Sequence, residues 1–445
     1  MSFGPADPTK NDVIARAVAQ LAAEYNARFR ETITRPRIVG REAEFPVVDA
    51  RGEAADVRRL WDLLIAQGDY AEKYDTGNPN LLVTLAGESY TYALEVGLGT
   101  IEVNTMPCRD LFAVERIMED AVSRLVRAAL TFGWRVLGYG IQPVSAPSLP
   151  LMSPKQRYQS LYRAMGREWL WYTVTAADQV QVDVARHEMV DMLNFGNLMA
   201  PVLIALCANS PVYGGTLSQF CSGREGEMAL IHANEARHGM PAAPYASIEE
   251  YVLRNSRSQY LILQSDGEVV PSSQHFVEYL AEHGADLDAF LYHEHYIWNS
   301  ARLRVAYGTI ELRPACQQPW SDQMVAAALG LGLIEAADTI MPYVQDALGD
   351  SYWERMRTYH RQVIGRGLAA PEPAPGFVME VVRRAEEGLR ARGYGEERLL
   401  SPVWQRLQRR ANPAQRMRGV FQSEGLTGLL ARTAIRPAAT TPASS

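Results

Sequence analysis

Two glutamates sit two residues apart behind a glycine in Gly40-Arg41-Glu42-Ala43-Glu44-Phe45, between the β-formers Arg37-Ile38-Val39 and Phe45-Pro46-Val47-Val48. On a strand, side chains at i and i+2 point to one side, so both carboxylates look the same way from positions roughly 7 Å apart. Two anions held on a half-buried face repel each other and lose hydration. The usual compensation is a divalent cation or a shared proton. A second acidic pair lies in Leu94-Glu95-Val96-Gly97-Leu98-Gly99-Thr100-Ile101-Glu102-Val103-Asn104, which reads as a hairpin. With Leu98-Gly99 as a two-residue turn, Glu95 falls directly opposite Glu102 on one face, about 5 Å away. Like charges there destabilise the pair unless a cation bridges them; the alternative is that the glutamates are solvated on an open sheet face. A third segment, Thr309-Ile310-Glu311-Leu312-Arg313-Pro314, carries an i, i+2 pair of opposite sign. It reads either as an internal salt bridge or as a carboxylate on metal beside a guanidinium that clamps a phosphate or a carboxylate. Oxygen-only ligands suit Mg²⁺ or Mn²⁺ better than zinc, and Mg²⁺ is commonly held by a few carboxylates together with nucleotide phosphates.

The elements that must position these residues follow from local pattern. Val13, Ala17, Leu21 and Tyr25 recur at helical spacing over residues 11–30, and a second helix is expected at 55–67 after the turn at Arg51-Gly52. Strands are expected at 81–85, 90–96 and 100–104, a long helix at 109–132 and a strand at 134–140. A helix near 156–166 precedes a strand pair, 172–176 with 179–184, and a helix at 187–208. Strand-like segments return at 258–264 and 302–313, and from Asp322 the pattern is helical almost throughout. Strands do not alternate one for one with helices, and their short pairs look like hairpins. The pattern therefore predicts an α+β fold with an antiparallel sheet. It divides the chain into a core over 1–350, a helical region over 351–433 packed on that core, and a tail, 434–445, with nothing to bury.

The composition narrows the function classes. The chain has 445 residues, 47% hydrophobic and 21% charged, and its 51 acidic and 44 basic residues are spread without a Lys/Arg block. Nucleic acid is thus not an expected partner. The apolar run at 198–208 is broken by Pro201 and is too short for a membrane span, and residues 1–12 contain no apolar signal segment. Cys108, Cys207, Cys221 and Cys316 show neither CxxC nor regular spacing, which argues against structural zinc or a disulfide scaffold and fits a cytoplasmic location. His293-Glu294-His295 would present two imidazoles on one side if extended, but with no further Cys or His nearby it reads as structural or pocket-lining. There is no GxxxxGK[ST], so nucleotide would be held by metal on a sheet rather than by a P-loop.

Taken in order, Gly40-x-Glu42-x-Glu44, the Glu95 to Glu102 hairpin, Val180-Gln181-Val182-Asp183, Ser210-Pro211-Val212-Tyr213-Gly214-Gly215, Arg224 to Arg237 and Glu311-Leu312-Arg313 form a set spanning about 37–320. This set resembles the glutamate-cysteine ligase family, in the branch with plant, proteobacterial and actinobacterial enzymes. The resemblance implies a glutamine-synthetase-like fold, a curved antiparallel sheet with helices outside. It also implies a ligase that uses ATP to activate the γ-carboxylate of glutamate as an acyl phosphate and joins it to an amine such as cysteine, in a chain that is a monomer or homodimer. Glu42, Glu44, Glu95, Glu102 and Glu311 would hold Mg²⁺ or Mn²⁺ around the ATP phosphates, and Arg313 would stabilise the transferring phosphoryl group. Gln181 would contact metal or nucleotide, while Arg224 and Arg237 would take a substrate carboxylate or a phosphate. Ala43, Phe45-Pro46 and Trp169-Leu170-Trp171-Tyr172-Thr173-Val174 depart from the family pattern; the last region lies near its second-substrate pocket, which leaves another amine open. A metal-dependent phosphotransferase would use the same side chains, and a binding subunit that has lost turnover would be expected to lack one of the five glutamates.

Overall fold

Side-chain alternation sorts one large sheet into two unlike faces, and that sorting positions the site. The computed structural model describes residues 8–265 and 267–436. Its main sheet contains β1 (Val39–Val48), β2 (Ala71–Asp75), β3 (Asn78–Ala86), β4 (Tyr90–Leu94), β5 (Thr100–Thr105), β6 (Arg135–Val136), β7 (Asp178–Asp183), β8 (Ala301–Arg304) and β9 (Thr309–Leu312). The order is β8-β9-β7-β1-β5-β4-β3-β2, with β6 beside β1. Every pairing is antiparallel, as the hairpin spacing predicts.

On the back of the sheet, Val39, Val180, Val182, Leu303, Ile310 and Leu312 are buried in one apolar cluster with α4 (Met189–Cys207) and α6 (Val325–Glu335). Ala43, Phe45, Ile101 and Val103 are buried in a second, against Met118, Val122 and Leu125 of α2 (Leu111–Thr131). Helix α1 (Pro8–Ala27) packs into the first cluster through Val18, Leu21 and Tyr25. Helix α4 is apolar around its whole circumference, which suits a helix enclosed on all sides. It is long and apolar enough to cross a membrane, but 83% of its most apolar stretch is buried inside the fold.

One charged pair breaks the apolar back face. The Arg41 guanidinium donates to both oxygens of Asp178, at 2.8 and 2.9 Å, and to Gln323 Oε1 at 2.9 Å. Both charged side chains are fully buried. The pair ties β1 to β7 directly beneath the glutamates.

Several expectations are corrected. Residues 166–173 form a 3-10 helix, so the expected strand at 172–176 is absent and Asp178–Asp183 pairs with β1 and β9 instead. Residues 71–75, where the pattern predicts no strand, form β2, whose largely exposed side chains carry no strand alternation. The expected strand at 134–140 shrinks to β6. Helices at Gly223–Leu230 (α5), Ile248–Ser256, Phe276–His283 and Leu287–Glu294 fill a stretch in which the pattern predicts only a strand at 258–264. Beyond residue 350 the helices pack on the core. Helix α7 (Tyr352–Arg366) buries Met356 and Val363, and α8 (Phe377–Ala391) buries Val381 and Ala385, in the same cluster as α4 and α6. At the end of α9 (Pro413–Thr433), Ala434 and Ile435 are anchored, the latter donating to Val136 O at 2.8 Å. The rest of the expected tail, 437–445, lies outside the described residues, as do 1–7 of the segment read for a signal peptide.

Arg41→Ala leaves the Asp178 carboxylate buried without its cation. Chemical denaturation of this variant is expected to show a loss of about 3–5 kcal/mol. Arg41→Met combined with Asp178→Leu is expected to recover most of it, because no uncompensated charge remains.

Candidate active site

The front of the sheet floors a cavity of about 860 Å³. Register decides what meets there. Glu44 on β1 stands opposite Glu102 on β5, and Glu42 opposite both Asn104 and Gln179. Gln181 on β7 stands opposite Gly40 on one side and Glu311 of β9 on the other. Arg302 of β8 stands opposite Glu311. All of these share the face whose reverse is the core.

The hairpin between β4 and β5 departs from the expected register. Glu102 lies opposite Ala93 rather than Glu95, because the connection is the longer loop 95–99 closed by Thr100 N–H to Gly97 O at 3.0 Å. The shift is by two residues, so Glu95 stays on the same side. Candidate ligand oxygens of Glu44, Glu95 and Glu102 lie within 4.8 Å of one another. Gly97 makes the loop possible: a Cβ there would sit 1.9 Å from the Thr173 carbonyl oxygen, so only glycine lets the loop lie against the 3-10 helix.

The electrostatics divide the face in two. Around Glu44, Glu95 and Glu102 negative charge accumulates. Burial and then Glu95 push Glu44 up to about 7. Burial, then Glu95, Glu42 and Glu44, hold Glu102 well above the ordinary carboxylate range. Around Glu311 the balance reverses. Burial alone would raise it, but Arg302, Arg313 and Arg304 outweigh that and hold it below the ordinary range. Arg302 Nε donates to it at 2.5 Å, Arg313 donates to the same oxygen, and Arg304 lies at 3.7 Å. Glu42 lies between the halves: it accepts from the Gln181 amide and is raised by burial and by Glu311.

The expected site residues sort accordingly. Glu42, Glu44, Glu95, Glu102, Gln181, Arg224 and Arg313 all line the cavity. Glu311 sits beneath it as the counter-charge of three arginines, apart from the three-carboxylate cluster. Arg224, near the start of α5, pairs with Glu225, and its backbone N–H donates to Ser210 Oγ at 3.2 Å. Arg237 is not brought into the cavity. Its guanidinium is buried and donates to the carbonyls of Tyr296 and Gln259, at 3.2 and 2.8 Å, which ties loops together. Asp183 shares the face of Gln181 but accepts from the Ile38 N–H at 2.8 Å. The 293–295 motif is helical rather than extended: His293 stacks on Phe276 and bonds to Asn255 O, and His295 lines the cavity. All four cysteines are buried and unbridged.

Arg302 and Arg304 went unrecognised, although both lie in the strand-like run 302–313. A turn placed at Ala306-Tyr307 folds that run into a hairpin with Arg302 facing Glu311. His238, 3.7 Å from Glu225 and kept neutral by burial and neighbouring arginines, had no sequence signal.

The donors fit a hard divalent ion. Three carboxylates converge without sulfur or imidazole, and on the same face the buried amide oxygens of Asn104 and Gln179 have no partner.

An antiparallel sheet presenting carboxylates and arginines to one large cavity, set beside the matches to known proteins, defines an ATP-dependent carboxylate-amine ligase. Residues 38–433 match Glutamate-cysteine ligase family 2, and the chain belongs to that family. It is 26% identical over 402 residues to a putative glutamate-cysteine ligase 2-3 of Rubrobacter xylanophilus, covering 88% of this chain and 94% of the relative. It is 23% identical to the chloroplastic glutamate-cysteine ligase of Medicago truncatula, over 77% of this chain and 70% of that protein. Its fold resembles that of a glutamate-cysteine ligase from Francisella tularensis in complex with AMP, at a TM-score of 0.51 and 12% identity, over 91% of this chain and 88% of the other. A bifunctional glutathione synthetase from Pasteurella multocida aligns with the same TM-score at 11% identity, over 94% of this chain and 53% of its own.

A carboxyl raised from 4.5 to about 7 binds its proton more tightly in the folded state, so folding loses stability as pH rises through that window. Thermal unfolding of the metal-free protein is expected to show Tm falling between about pH 4.5 and 7. Glu95→Gln, which removes the charge repelling Glu44, should flatten that fall.

Proposed function

We propose that the chain joins the γ-carboxylate of glutamate to the amino group of a second substrate, at the expense of ATP. The observation that carries this reading is the divided face: three mutually repelling carboxylates at one end of a single cavity and three arginines gathered on Glu311 at the other. A reaction between two polyanions needs both.

A γ-carboxylate oxygen of glutamate attacks the γ-phosphorus of ATP. The bond to the bridging oxygen breaks and its electron pair leaves with ADP. The amine then attacks the acyl carbon, phosphate departs with the carbon–oxygen electrons, and the ammonium proton is lost. No covalent nucleophile from the protein is required. Glu44, Glu95 and Glu102, with Glu42 beside them, would hold Mg²⁺ or Mn²⁺, which supplies charge neutralisation at the phosphates. Arg313 is assigned the transferring phosphoryl group and Arg224 a substrate carboxylate or phosphate. Glu311 keeps Arg302, Arg304 and Arg313 in place, and Gln181 orients Glu42 while its Oε1 accepts from Thr309 at 3.0 Å. The names of the relatives make cysteine the reference acceptor.

Purified protein is expected to release ADP and phosphate only when glutamate, an acceptor amine and Mg²⁺ or Mn²⁺ are all present. Absence of ADP across a broad amine panel would defeat the proposal, and a stable phosphorylated product in place of free phosphate would make the chain a phosphotransferase. Glu44→Gln, Glu102→Gln and Arg313→Ala are each expected to lower kcat about 10²-fold or more, since each removes charge stabilisation made in the transition state. In the two glutamine variants the rise in Tm on adding Mn²⁺ should also disappear.

A further inference from the structure

One stretch of the cavity wall is aromatic. Tyr158 comes from α3 (Gln156–Met165), Trp169 and Tyr172 from the 3-10 helix after it, and Tyr296 and Trp298 from the segment before β8. Trp169 stacks on Tyr172 at 4.5 Å, Tyr172 meets Trp298 at 4.9 Å, and Tyr158 and Tyr296 extend the run at 5.9 and 6.1 Å from their neighbouring indoles. The indole N–H of Trp169 and the hydroxyl of Tyr296 are buried there without a partner.

Beside these rings stands Arg157, also lining the cavity. Its Nη2 donates to the Tyr158 hydroxyl at 3.0 Å and its guanidinium carbon lies 4.9 Å from that ring. The neighbouring cavity arginines are matched: Arg224 by Glu225, and Arg302, Arg304 and Arg313 by Glu311. Among the described residues, no carboxylate lies within ion-pair distance of Arg157. A half-buried guanidinium that lacks a counter-ion and faces a cavity is built to receive a planar anion from outside the chain.

Resting on the reading that this cavity is the ligase site, we infer that the aromatic wall and Arg157 form the acceptor subsite. Arg157 binds the α-carboxylate of the acceptor amino acid, and the wall receives a planar side chain larger than that of cysteine. Rigid, stacked rings reward a flat partner with offset or edge contacts, and a thiol on one methylene would leave most of that surface uncovered. The unpartnered indole N–H and phenol further suit a ring with a polar edge, such as a phenol, an indole or an imidazole.

The test measures ADP release and product mass with ATP, glutamate and Mg²⁺, using L-tyrosine, L-tryptophan, L-histidine, L-phenylalanine, L-cysteine and glycine in turn. At least one ring-bearing acceptor is expected to exceed cysteine in kcat/KM about tenfold or more. Preference for cysteine or glycine overturns this inference and leaves the ligase reading standing, whereas no turnover with any acceptor overturns both. Arg157→Ala is expected to raise KM for the preferred amino acid about tenfold or more while leaving KM for its decarboxylated amine unchanged, with Arg157→Lys recovering part of the loss. An equal loss for the amino acid and the amine would make Arg157 a structural residue and overturn its assignment.

Discussion

Three carboxylates held within 4.8 Å of one another on a buried sheet face are a standing repulsion, and much of this molecule is arranged to bear it. A flexible loop would relax by moving its acids apart. Here Glu44 and Glu102 are fixed by ladder hydrogen bonds across β1 and β5, and Glu95 by a loop lodged against the 3-10 helix. Burial first, and this repulsion second, raise the proton affinity of Glu44 and Glu102 and favour any cation that enters the cavity.

Rigidity on the front face depends on the back. Valine, isoleucine and leucine side chains of β1, β5, β7 and β9 lock the sheet to α2, α4 and α6, and the Arg41–Asp178 pair fastens the two central strands. Helices α7 and α8 bury their apolar stripes in the cluster that holds α4 and α6. A disturbance in those helices would be transmitted to the strands that carry the acids.

The arginine half follows the opposite design. Burying three guanidiniums near one another would be unfavourable without an anion, and Glu311, itself fully buried, supplies it. Opposed regions of potential in a single low-dielectric cavity suit a ligase, whose nucleotide and carboxylate substrates must be held in register while a phosphoryl group passes between them. The acceptor end has no such requirement, and its wall is aromatic accordingly.

Period-two spacing alone determined that Glu42 with Glu44, and Glu311 with Arg313, share a face, because alternation is a property of any strand. Hairpin spacing determined the antiparallel α+β character for the same local reason. What only the tertiary structure decided is which strands lie side by side. Sequence spacing could not reveal that Glu95 reaches Glu102 through a longer loop, or that Arg237 is taken up by loop carbonyls. Nor could it reveal that Arg157 faces a cavity without a counter-ion, since its charge balance is set by residues far away in the chain. Pairing across strands is chosen by packing of the whole back face, and long-range electrostatics follow from that choice.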